Sequence, residues 1–156
     1  MTASANNFTE NSLGTSTSLK DVYDAFEFLD DWEDRYAFII DLGKQLPPFP
    51  DSERTEENYV HGCQSQVWLI HHYDEDSGKL LLLIDSDAII VRGLAALILL
   101  AFNNRTPADL LATNIDELFE RLDLFRHISP TRSNGLRSMI SKIRNIAAGD
   151  LGGQHC

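Results

Sequence analysis

The sequence predicts an α+β fold in which a small three-stranded antiparallel sheet is covered by several helices. Three observations carry that reading. Apolar residues recur at helical spacing through 19–47 and again through 136–143. Residues 58–85 switch to short alternating or continuous apolar runs bounded by turn residues. These runs are joined by short connections, which antiparallel neighbours permit and parallel crossovers do not.

The segment LKDVYDAFEFLDDWEDRYAFIIDLGKQLP (19–47) divides into two helices. Val22, Phe26 and Leu29 form the first apolar face, and Trp32, Tyr36, Ile39 and Ile40 the second. Asp30 and Asp31 stand between them as capping residues, and Gly43 with Pro47-Pro48 ends the second helix. PPFPDSERTEE follows as a polar, proline-rich loop. The strand candidates are NYVHG, SQVWLIHHY and KLLLLID, with DEDSG as the turn between the last two. Asp85, Ser86 and Asp87 close the third strand and offer N-cap chemistry to a helix over about 87–103, apolar on nearly every side and therefore buried. Thr106-Pro107 with Asp109 starts another helix, and a short one runs near 115–122. SPTRSNG reads as an irregular turn before a final amphipathic helix whose apolar face is Leu136, Met139, Ile140 and Ile143.

These elements place one domain over 19–148, between flexible tails at 1–18 and 149–156. The first tail, MTASANNFTENSLGTSTS, lacks the basic and apolar regions of a signal peptide. A formal charge of −11 argues against nucleic acid, which demands clustered Lys and Arg. The longest apolar stretch, AIIVRGLAALILLAF, is interrupted by Arg92 and is too short for a bilayer, so no membrane partner is expected. Two cysteines, one of them terminal, do not make a disulfide framework; a soluble protein of the reducing cytoplasm is expected.

Cys63 is the only cysteine in the body of the chain, at the connection Gly62-Cys63-Gln64 between two strand candidates. A free cysteine is often a small buried hydrophobe. A thiol at a strand connection is also placed to be presented to another protein, and Gly62 removes side-chain bulk beside the sulfur. Reactivity would require a thiolate, stabilised by a nearby cation or by groups of a partner. His61, Cys63, His71 and His72 are metal-ligand types, but one cysteine without a paired motif does not fit a structural zinc site, and residues 71 and 72 face opposite sides of a strand. No local signature supports hydrolytic Cys–His catalysis, and His127 reads as a solvated loop histidine. Arg132 is either a surface or capping arginine or one that reaches an anionic group or a partner's backbone.

Four segments, WEDRYAFIIDLGKQLP (32–47), VHGCQSQVWL (60–69), DSDAIIVRGLAALIL (85–99) and ISPTRSNGLRSMI (128–140), together resemble the SufE/CsdE family of sulfur-acceptor proteins. Thr131 stands where a serine is more usual in that family. The resemblance implies a fold like that of the IscU-type scaffolds. It also implies that Cys63 takes sulfur from the persulfide of a pyridoxal-phosphate (PLP) cysteine desulfurase of the SufS/CsdA kind, activates that enzyme, and passes the sulfur to an iron–sulfur scaffold of the SufBCD kind. Gly62, Asp85, Asp87 and Arg132 then become partner-binding or loop-positioning residues. No cofactor or metal is implied for this chain and no stand-alone turnover, since the PLP belongs to the desulfurase. Two other readings stand beside it: a metal- or cluster-binding scaffold using Cys63, His61 and an acid, and an interaction domain with a structural cysteine.

Overall fold

The computed structural model describes residues 18–61 and 65–151. Six helices and one two-stranded antiparallel sheet are formed among them. Helix α1 spans Leu19–Phe28 and α2 spans Trp32–Gly43. Asp21 accepts the backbone amide of Ser18 at 2.9 Å at the start of α1, and Asp31 accepts the amide of Glu33 at 2.9 Å at the start of α2. Arg35 joins the pair: its Nε and Nη2 each donate at 2.8 Å, to the carbonyls of Leu29 and Phe26, filling acceptors that the end of α1 leaves open.

Strands β1 (Val67–Asp74) and β2 (Lys79–Ser86) form a hairpin in register from Val67 opposite Ser86 to Asp74 opposite Lys79. The turn closes on Gly78, whose φ of 71° is a left-handed conformation that glycine enters without steric cost. β2 is buried on both faces. Leu80, Leu82 and Ile84 join the main core, while Leu81 and Leu83 pack with Ile70 and Phe49 on the outer side. The proline-rich loop is therefore a lid of the sheet through Phe49, rather than only a polar connection.

The expected third strand is not present as a strand. Residues 58–60 run antiparallel to β1 but make only an isolated bridge, Tyr59 to Trp68. Leu69 N donates to Asn58 O at 2.9 Å and Val60 N to Val67 O at 2.8 Å. Turns on both sides, at 56–58 and at His61, leave only Tyr59 and Val60 between them, too few for a ladder.

Helix α3 (Ile89–Phe102) lies against the inner face of β2, and ten of its fourteen residues are buried, in keeping with its apolar composition, although Ile89 at its start is exposed. It crosses α2 at two glycines. A Cβ on Gly93 would fall 2.6 Å from Ile39 Cγ2 and onto the Ile39 backbone, and one on Gly43 would fall 2.7 Å from Gly93 N. Thr106 caps α4 (Pro107–Ala112), accepting Asp109 N at 3.1 Å, and Asn114 caps α5 (Ile115–Leu122), accepting Glu117 N at 3.2 Å. Helix α6 (Pro130–Leu151) presents Leu136, Met139, Ile140 and Ile143 to the core.

Helix α6 begins earlier than the sequence suggested. SPTRSNG is not an irregular turn but the helix's opening, with Pro130 as its first residue and Ser129 Oγ accepting Arg132 N at 3.2 Å. A hydroxyl followed by proline at the first helical position drives this start, and burial of Leu136 outweighs the weak helix propensity of Thr, Ser, Asn and Gly. His127 is also not simply solvated: its ring stacks on Trp32 at 3.9 Å, 12° from parallel.

Candidate functional site

Gly62 and Cys63 lie outside the described residues; the two limbs that flank them are described. The ascending limb, 58–61, is tied to β1 by the two backbone hydrogen bonds given above. His61 ends it, exposed, with Nε2 3.1 Å from Glu56 Oε1 and its ring edge-on to Tyr59. The descending limb, Ser65-Gln66, enters β1 at Val67.

Asp87 fastens the descending limb. Its Oδ1 accepts Gln66 N at 3.0 Å, and its own amide donates to Gln66 O at 3.3 Å. This extends the hairpin by one pair beyond Val67 and Ser86, with a carboxylate replacing one backbone acceptor. The expectation that Asp85, Ser86 and Asp87 cap the following helix is therefore corrected. The N-cap of α3 is Ala88, without a side-chain cap, and only Ser86 acts locally, its Oγ accepting Ala88 N at 3.2 Å. Asp85 and Asp87 are taken instead by groups distant in sequence, Asp85 by two arginines and Asp87 by the amide of Gln66.

Asp85 is nine-tenths buried at the same end of the sheet, opposite Trp68. Arg54 Nη2 donates to Asp85 Oδ2 at 2.6 Å, and Arg92 Nε lies 3.1 Å from Asp85 Oδ1. The second contact is an ion pair out of hydrogen-bond alignment, since neither buried atom has a hydrogen-bond partner. Arg54 also reaches Asp51 through Nε at 3.1 Å and lies over the rings of Phe49 and Trp68, 5.3 and 5.1 Å from their centroids. Burial works to lower the Arg54 pKa, but its hydrogen bonds and charge interactions with Asp85 and Asp51 outweigh that and hold it above the ordinary value.

Arg132 sits half-buried in the first turn of α6. With Ser65, Val91, Leu94, Leu136 and Met139 it lines a cavity of about 20 Å³. The structure thus brings Arg132 and Ser65 to one apolar recess, and Asp87 to the next residue, Gln66. On the other side of the ascending limb a broad open groove runs between 56–61 and α6. Lys142 lines it and donates to Tyr59 O at 3.4 Å, and burial pushes its amine pKa down. Among the described residues no group of three or more His, Cys, Asp and Glu is placed to hold a metal, and no helix is long and apolar enough to cross a membrane.

Sequence reasoning missed Arg54 and Arg92. Arg92 left a signal, because a lone cation inside an otherwise apolar helix must find a counter-charge or reach water. Arg54, set among acids in DSERTEE, carries no such mark.

The pattern of the SufE family, described as an Fe-S metabolism associated domain, matches residues 20–147. An uncharacterized SufE-like protein of Rhizobium meliloti is 46% identical over 137 residues, covering 86% of this chain and 98% of that one. Another from Rhizobium etli is 46% identical over 132 residues, covering 83% and 89%. The chain belongs to the SufE family and to Fe–S metabolism. A solution structure of a hypothetical protein from Thermus thermophilus superimposes with a TM-score of 0.69 at 21% identity, over 86% of this chain and 96% of that chain, a likeness of fold.

Proposed function

We propose that this chain is a sulfur acceptor and activator of a PLP-dependent cysteine desulfurase, with Cys63 as the carrier and 19–148 as the working unit. The observation that most supports this reading is the anchoring of the two limbs on either side of residues 62–64. On the descending limb Ser65 lies beside an apolar recess lined by Arg132, and the next residue, Gln66, is latched by Asp87. Both flanking limbs are thus fastened to the hairpin, and a scaffold so fastened suits a thiol that must be offered to another protein's site.

The chemistry is a redox-neutral exchange. Cys63 gives up its proton, and the thiolate attacks the outer sulfur of the desulfurase persulfide. The S–S bond of the donor breaks, its cysteine leaves as thiolate, and Cys63 becomes the persulfide. The same exchange, repeated with an acceptor thiolate on an iron–sulfur scaffold, returns Cys63 to the free thiol. Asp85, Asp87 and Arg132 touch none of the reacting atoms in this scheme; they position the segment or the docked partner. A reducing cytoplasm suits the scheme, since oxidation of the persulfide would end it.

Desulfurase turnover with cysteine as substrate, measured with and without this protein, tests the reading. Stimulation by the native chain and its loss in a folded Cys63→Ser variant are expected. Full stimulation by Cys63→Ser would overturn the carrier role.

A further inference from the structure

We propose that Arg54 is a positioning residue for both limbs that flank Cys63, acting through Trp68. Trp68 is where the limbs meet. It follows the descending limb by two residues and forms the isolated bridge to Tyr59 of the ascending limb, with the two rings 6.2 Å apart and nearly perpendicular. Arg54 lies over the Trp68 ring on the outer side of the sheet, and its Nη2 is anchored by Asp85, the residue opposite Trp68 in the hairpin. The chain around Arg54 holds the ascending limb as well: Asn58 Nδ2 donates to the Glu53 carbonyl at 2.8 Å and to Glu53 Oε1 at 3.1 Å.

Arg54 thus ties the proline-rich loop, β2 and the Trp68–Tyr59 contact into one unit. A guanidinium suits this role because a planar cation stacks on an aromatic face while donating in its own plane to Asp85 and Asp51. Lysine keeps the charge but not the fork or the stacking. The inference rests on the sulfur-acceptor reading only for its consequence in transfer; the positioning of the limbs stands apart from it.

Amide hydrogen exchange tests the positioning directly, because Val60 N and Leu69 N make the two bonds joining the ascending limb to β1. In Arg54→Ala these two amides are expected to exchange about tenfold faster, corresponding to about 1.4 kcal/mol, while amides in α6 keep their native rates. Arg54→Lys should fall between, and it serves as the test variant if Arg54→Ala does not fold. Arg35→Ala is the control, removing an equally engaged arginine at the α1–α2 junction. Native exchange at Val60 and Leu69 in the folded Arg54 variant, or equal acceleration in Arg35→Ala, would overturn the proposal.

Desulfurase stimulation adds a readout that general destabilisation does not mimic: the concentration for half-maximal stimulation should rise at least about threefold with the plateau preserved, since docking must then order the limbs. Faster exchange with an unchanged concentration dependence would reduce Arg54 to a structural residue. Absence of stimulation by the native chain would count against the sulfur-acceptor reading and leave the exchange result standing.

Discussion

Asp87 and Gln66 exchange two hydrogen bonds, the carboxylate accepting Gln66 N at 3.0 Å and the Asp87 amide donating to Gln66 O at 3.3 Å. The residue that opens the way to α3 is therefore also the fastener of the chain that leads away from Cys63. Replacing Asp87 with arginine removes the acceptor and adds a bulky cation just before a helix N-terminus, itself unfavourable by about 0.3–1 kcal/mol. With the lost charge-assisted bond, worth about 1.5 kcal/mol or more, Cys63 should react about tenfold faster with iodoacetamide. Peptide mass analysis separates Cys63 from Cys156. A native alkylation rate in a folded variant would remove Asp87 from the site.

Arg132 is held in the first turn of α6 by its backbone, whose amide donates to Ser129 Oγ, so its side chain can be exchanged without breaking the helix start. Arg132→Lys should impair desulfurase stimulation and Arg132→Ala should impair it more, because lysine lacks the fork of donors. Thermal stability should change by less than about 1 kcal/mol in both. Titrating the desulfurase with each variant distinguishes weaker docking from slower transfer.

Gly93 meets Ile39 at the crossing of α2 and α3 with no room for a Cβ. Gly93→Ala gains helix propensity, but the overlap with Ile39 backbone forces the helices apart, at a cost of about 1–3 kcal/mol or more. Taking about 2–4 °C per kcal/mol at this chain length, calorimetry should show a fall of several degrees. An unchanged or higher melting temperature would mean that the crossing relaxes freely.

The Lys142 amine carries a pKa lowered by burial, so the folded state holds its proton less tightly than the unfolded state does. The cost of burying the charged form is present in full below the folded pKa and is relieved as pH rises from there toward the unfolded value of 10.5. Lys142→Met should therefore melt at a higher temperature than the native chain at neutral pH, with the advantage shrinking as the pH becomes alkaline. Melting curves across that range check both sign and trend.

The helical part of the fold was largely legible because its apolar spacing is regular: Val22 and Phe26, Leu136 and Ile143 are buried where the period puts them. The third strand was misread since a single bridge with its flanking residues has the same local alternation as a strand. The start of α6 carried the same hydroxyl–proline mark that identified α4, masked by the turn-favouring residues after it. Local chemistry read Asp85 and Asp87 as helix caps and could not show the distant partners that they take instead. Arg54 to Asp85 spans 31 residues and Gln66 to Asp87 spans 21, and pairings of that range are set by the hairpin register and the loop packed upon it.

The most direct test of the carrier role is the mass of this protein after incubation with a PLP cysteine desulfurase and cysteine, followed by peptide mapping under non-reducing conditions. A gain of one sulfur atom on Cys63 is expected, present in the native chain and in Cys156→Ser, absent in Cys63→Ser, and discharged by added thiol. No gain in the native chain, in the presence of an active desulfurase, or a gain confined to Cys156 would contradict it.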